Sequence, residues 1–204
     1  MQNLVFREAE NNNIPAIVNI HNSSVRRKPG WWGQLRRFLG MSLPDRGFLL
    51  TPTTEEEVSQ KLASSARYFV ATNSDHKVVG FVTLLQPIIS DAMLNQMIWK
   101  DESFKTKIAN ENHFYINIVA TRLDCMGKGV ARFMYESLYQ LFPNAYFSAF
   151  VVTQPIINNR SLIFHQKQGF EQIGVFRSEK VLDLENYESV LFFKEINYRL
   201  SSRL

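Results

Sequence analysis

Residues 118–131 read Ile118-Val119-Ala120-Thr121-Arg122-Leu123-Asp124-Cys125-Met126-Gly127-Lys128-Gly129-Val130-Ala131. An apolar strand runs into a loop with two glycines, and the loop opens directly into a helix. That order makes an anion cradle. The first N–H groups of a helix lack internal partners and point outward, and the helix dipole adds partial positive charge at the same end. Glycine lets the backbone approach a phosphate with no Cβ in the way, and Lys128 adds a mobile cation at the rim. A pyrophosphate suits such a loop. Two glycines before a helix also make a plain tight turn, and the pair alone is weak evidence. A Walker loop needs four residues between its glycines and then Lys-Ser or Lys-Thr, and a dinucleotide fingerprint needs a third glycine. Both are absent.

Outward from this stretch, His113–Thr121 is β-prone, and the helix from Val130 places Phe133, Met134, Leu138, Leu141 and Phe142 on one side. Arg132, Glu136 and Gln140 fall on the other. Tyr146–Val152 reads as the next strand, so the strand–helix–strand unit predicts a parallel pair. Asn158–Gln168 is a helix ended by Gly169, and Ile173–Arg177 and Ser189–Glu195 are the last strands. Upstream, Leu4–Phe6 is a short strand, and Asn12 or Asn13 caps a helix starting near Pro15. Thr53 and Thr54 precede three glutamates that start a helix running to about Ala66. Tyr68–Ala71 and Val78–Leu85 flank Asn73–His76 as a hairpin closed by Pro87. A helix is predicted around Ala92–Trp99, and a short one over Gln34–Gly40. This order implies an α+β sheet layered by helices, in one domain over residues 1–204.

Met126-Gly127-Lys128-Gly129-Val130-Ala131 resembles the acetyl-CoA motif Q/R-x-x-G-x-G/A of the GCN5-related N-acetyltransferases (GNAT), with Met126 where the family has Gln or Arg. Asn158 to Phe170 resembles the family's later motif: Asn, then Ser or Ala, an aromatic or His, and Gly-Phe. Asn158, Ser161 and His165 share one helical face. The resemblance implies a mixed, mostly antiparallel sheet of six to seven strands, with a splayed parallel pair at the cofactor site and family-variable insertions at about 23–52 and 87–112. It implies that the backbone of Val119, Ala120 and Thr121 pairs with a pantetheine arm. It also implies that Met126, Gly127, Lys128, Gly129, Val130 and Ala131, with Asn158 and Ser161, hold acetyl-CoA as co-substrate. The activity implied is transfer of an acetyl group to an amine by direct attack through a tetrahedral intermediate. A non-catalytic acyl-CoA-binding module on the same fold is the alternative.

His165 stands where many family members carry a Tyr near the sulfur, and a histidine gives a proton near neutral pH. It is the candidate general acid, against a packed histidine. The strand Phe114–Thr121 holds no acidic residue, so Glu111 and His113 at its entrance are the nearest bases. An amine of low pKa needs none. Cys125 lacks a His at a spacing that would activate it. The four histidines and one cysteine show no metal-ligand spacing.

The 204 residues are 45% hydrophobic and 21% charged, ordinary for a globular chain, and one cysteine excludes an intrachain disulfide. No run approaches the roughly 18 apolar residues that span a bilayer, and no signal-peptide pattern opens the chain. The expectation is a cytoplasmic protein, homodimers being frequent in the family. A net charge of +4 suits a polyanionic coenzyme, and no nucleic-acid-binding signature accompanies it. Trp31 to Leu39 combines aromatics with arginines. It reads as a lid over the acceptor groove, a membrane-surface helix or a packed helix.

Overall fold

The computed structural model describes residues 3–26, 47–64, 66–86 and 91–197. The Gln34–Gly40 helix, the Trp31–Leu39 lid and Pro87 lie outside the described residues. The elements are β1 (Val5–Glu8), α1 (Ile14–Ser23), α2 (Glu55–Leu62), β2 (Arg67–Thr72), β3 (Val78–Leu85), α3 (Asp91–Gln96), β4 (Ile98–Trp99) and α4 (Phe104–Ile108). Then come β5 (His113–Thr121), α5 (Val130–Leu141), β6 (Tyr146–Gln154), α6 (Asn159–Lys167), β7 (Glu171–Val181) and β8 (Leu184–Glu195).

Local chemistry starts the helices. Thr54 Oγ1 accepts from the Glu57 N–H at 3.2 Å, while the Glu57 carboxylate accepts from the Thr54 N–H at 3.2 Å. This reciprocal cap begins α2 where the three glutamates predict, although α2 ends at Leu62, short of Ala66. Gly169, at φ +77°, stops the chain just after α6.

One sheet of order β1-β2-β3-β5-β6-β8-β7-β4 forms the centre. Every pairing is antiparallel except β5 with β6. It has eight strands where six to seven are expected. The addition is β4, which pairs Ile98 with Val175 and Trp99 with Gly174. The sequence suggests helix through Trp99, but the helix stops at Gln96. Met97 and Trp99 then pack with Phe104, Ile108, Ile173 and Phe193. Burial of this apolar cluster against the sheet edge overrides the weak helical pattern.

Strand alternation sorts the core into two layers. Tyr68 and Val70 of β2 pack under α1 and α2 with Ile17, Val58 and Phe81. Phe69 and Ala71 face the other side, with Met134, Leu138 and Phe147. The buried stripe of α5 is Val130, Met134, Tyr135, Leu138 and Tyr139. Leu141, expected inside, is half exposed. The stripe is turned toward the two tyrosines, which pack against β6 and α6.

Candidate active site

Strands β5 and β6 run in register only through His113–Tyr146, Phe114–Phe147 and Tyr115–Ser148. Beyond Tyr115 they separate. The cause lies in β5, where Leu84 pairs with Ile116 but Thr83 pairs with Ile118. Asn117 is therefore an extra, bulged residue, and a bulge bends its strand. The opening is a cleft of about 810 Å³ that cuts through the sheet from Ile116–Thr121 on one wall to Ala149 and Phe150 on the other.

The glycine loop closes one end of this cleft. Gly127 (φ +76°) and Gly129 (φ +84°) are both in the left-handed region, which glycine occupies at low cost. A Cβ on Gly129 would meet no atom within 4 Å, so this backbone faces open space. The first hydrogen bond into α5 is Phe133 N–H to the Gly129 carbonyl at 2.9 Å. Among the described residues, the N–H groups of Val130, Ala131 and Arg132 have no partner. Val119, Ala120, Thr121, Met126, Gly127, Gly129, Val130, Ala131, Asn158 and Ser161 all line the cleft. Lys128 does not: it is exposed outside the lining. The cations along the cleft are Arg132, Arg160, Lys167 and Lys194.

Asn158 caps α6, its side chain accepting from the Ser161 N–H at 3.4 Å and donating to the Phe48 carbonyl at 3.0 Å. It thereby ties the segment at Phe48 to the cleft. His165 is 2% exposed. A carbonyl only accepts, so Nδ1, 2.8 Å from the Ser161 carbonyl, carries the ring's proton. Nε2 then accepts from the Tyr135 hydroxyl at 3.0 Å. The ring stacks on Phe192, centroids 5.5 Å apart. Burial drives its pKa down to about 4. At neutral pH the ring is neutral and its one N–H is engaged. This corrects the expectation of a proton-donating imidazolium at His165.

The expected bases are likewise displaced. His113 is fully buried, bonded to the Ile108 carbonyl and to Ser148 Oγ, each at 2.8 Å. Burial takes it down to about 4 as well. It stands at the paired end of β5, roughly 20 Å along the strand from Val119. Glu111 is exposed before the same end, and neither residue lines the cleft. The strand entrance is where β5 and β6 are still bonded, so no space opens there.

A second cavity of about 590 Å³ adjoins the first and shares Phe48, Leu49, Asn117, Ile118, Phe150 and Asn158 with it. It lies under α1 and α2 and includes His21, Glu57 and Lys61. Sequence reasoning assigned no role to Tyr135, Arg160, Lys194 or His21. Arg160 sat inside the quoted motif, two residues after Asn158. The others carried no local signal, because pairings across the fold bring them to the site.

The sequence model described as the acetyltransferase (GNAT) family matches residues 35–170. The chain belongs to the GNAT acetyltransferase family. Solved GNAT structures share its fold. A ribosomal-protein-alanine N-acetyltransferase from Brucella melitensis aligns with a TM-score of 0.59 at 16% identity, covering 94% of this chain and 99% of that one. A phosphinothricin acetyltransferase from Sinorhizobium meliloti, solved in complex with AcCoA, gives 0.58 at 14%, covering 95% and 89%. An N-acetyltransferase from Staphylococcus aureus gives 0.57 at 14%, covering 95% and 98%. No curated protein matches the chain in sequence. Among the described residues, no helix is long and apolar enough to cross a membrane.

Proposed function

We propose that this GNAT protein transfers an acetyl group from acetyl-CoA to an acceptor amine by direct attack on the thioester. One observation carries the reading: the splayed half of β5 leads through the glycine loop to the unpaired N–H groups of Val130, Ala131 and Arg132 in the first turn of α5. The pyrophosphate of the coenzyme sits against Gly127, Gly129, Val130 and Ala131, where backbone donors and the helix dipole meet it. Arg160 and Arg132 add charge beside them. The pantetheine arm takes up the strand edge that β6 leaves at Val119–Thr121. The thioester then lies at the junction of the two cavities, near Asn117 and Ile118, and strand N–H groups there face the developing oxyanion. The acceptor enters from the second cavity. His165 holds the floor of the cleft through Ser161 and Tyr135.

Calorimetry with acetyl-CoA, followed by thiol release with a panel of amines, tests this. Gly129→Val places a branched side chain in the open cradle and forces it into left-handed backbone, a strain of roughly 1–2 kcal/mol. Acetyl-CoA affinity should drop at least about tenfold, a change of about 1.4 kcal/mol, with the fold intact by circular dichroism. Unchanged affinity in that variant would sink the cradle. Tight binding without turnover of any amine would leave a non-catalytic acyl-CoA-binding module.

A further inference from the structure

We propose that His21 takes the proton of the attacking amine, in a cavity shaped for an amine carried on an apolar, ring-sized body. This rests on the acyl-transfer reading above. The second cavity meets the cleft at Asn117 and Ile118, so an amine held in it reaches the thioester carbonyl. Phe48, Tyr115, Phe150 and Tyr187 give it aromatic walls, with Leu50 and Val152 between them. Such surfaces favour a ring or a branched apolar group over a bare polyamine chain.

A proton acceptor in this cavity must be unprotonated at neutral pH, hold a lone pair and not be held too weakly basic by its neighbours. His21 on α1 meets these conditions. It is 7% exposed and lines the cavity. Its Nε2 lies 2.9 Å from the Thr51 carbonyl, so Nε2 carries the hydrogen. Burial lowers its pKa below the ordinary histidine value, so the ring is neutral and Nδ1 keeps its lone pair. Among the described residues, none is hydrogen-bonded to Nδ1. Phe81 stacks against the ring at 6.2 Å and fixes its plane.

The other titratable groups around it are poorer bases. From α2, Lys61 is a cation, and the Glu57 carboxylate is held low by Thr53 Oγ1 at 2.8 Å and the Thr54 N–H. Their charges act on His21 in opposite directions. Tyr68 on β2, Tyr115 on β5 and Tyr187 on β8 are all pushed upward by burial and stay protonated.

The step balances. The amine nitrogen bonds to the thioester carbonyl carbon, and its proton passes to His21 Nδ1. The C–S bond breaks, giving an amide and a thiolate. The imidazolium releases its proton to solvent as the thiolate takes one up, leaving His21 neutral and free coenzyme A.

The test uses the full chain, its His21→Gln and His21→Ala variants, and acetyl-CoA with 2-phenylethylamine or ethylamine. Glutamine keeps an N–H for the Thr51 carbonyl but is no base, so a merely structural histidine would be rescued by it. Expected for both variants is a kcat lower by about 10²–10⁴-fold with unchanged acetyl-CoA affinity. The acid limb of kcat/KM, which burial of His21 sets below the ordinary histidine range in the wild type, should disappear. Imidazole should restore part of the His21→Ala turnover, and the wild type should show a lower KM for the ring-bearing amine. Turnover of His21→Gln within about threefold of wild type, or a retained acid limb, overturns the role of His21. Equal KM values for the two amines overturn the apolar pocket. A wild type that binds acetyl-CoA but turns over no amine removes acyl transfer itself, a failure read on a different protein.

Discussion

His165 illustrates how a side chain's role depends on its surroundings more than on its type. In the sequence it is a histidine at the family's tyrosine position; in the fold it is a neutral ring held between two polar partners. Its Nε2 depends on one donor, the hydroxyl of Tyr135, which is itself fully buried. Tyr135→Phe removes that donor and leaves a lone pair unpaired among Phe164, Phe170 and Phe192. The expected loss is about 1–3 kcal/mol, the cost of an unsatisfied buried acceptor. A lower urea midpoint at unchanged m-value would show it. An unshifted midpoint would mean that the Tyr135–His165 bond contributes nothing to stability.

The head of α5 is positioned by a residue on another element. Gly80 of β3 pairs with Ala71 on one side and Thr121 on the other. A Cβ there would come within 2.9 Å of Val130 Cγ1 and 3.1 Å of both the Ala120 carbonyl and Met134 Cε. The first turn of α5 therefore sits directly on the sheet, and the cradle sits where that turn puts it. Gly80→Ala should cost about 1–3 kcal/mol by overpacking. It should also weaken acetyl-CoA binding by lifting Val130 from the strand. Thermal unfolding and calorimetry on the same sample check both. A variant that is destabilised but binds normally would show that the cradle does not depend on this contact.

Over the whole molecule, acid should act most strongly on His113 and His165, two buried histidines at opposite ends of the splay. His113 and His165 both have folded-state pKa values near 4, caused by burial, against 6.5 for an exposed ring. The unfolded chain therefore binds protons more readily than the folded one below about pH 6.5. The stability tied to the neutral rings is complete above that pH and is lost as pH falls toward 4. Each histidine accounts for on the order of 3 kcal/mol over that window. Urea midpoints measured from about pH 7 to 4 should fall steeply, and His165→Phe should flatten the slope. A flat wild-type profile would place both rings in more polar surroundings.

The sequence by itself determined most of the elements and marked the glycine loop at the head of α5. Apolar, β-prone runs marked β2, β3 and β5; apolar spacing marked α5; the Gly127–Gly129 pair and the Asn158–Phe170 stretch announced a family-like cradle. These are local signals, because a helix start, a turn and a strand period depend on neighbours within a few residues. Only the tertiary structure decided the rest. It added β4, whose two residues are strand only because β7 lies beside them, and it turned α5 so that Tyr135 and Tyr139 are inside and Leu141 is out. It took Glu111 and His113 away from the cleft, because the strand entrance is the part of β5 that β6 still pairs. It brought His21 to Thr51 and Tyr135 to His165 across 30 residues each. Which nitrogen holds a proton is set by those distant partners and by burial, and neither is written in the local order of the chain.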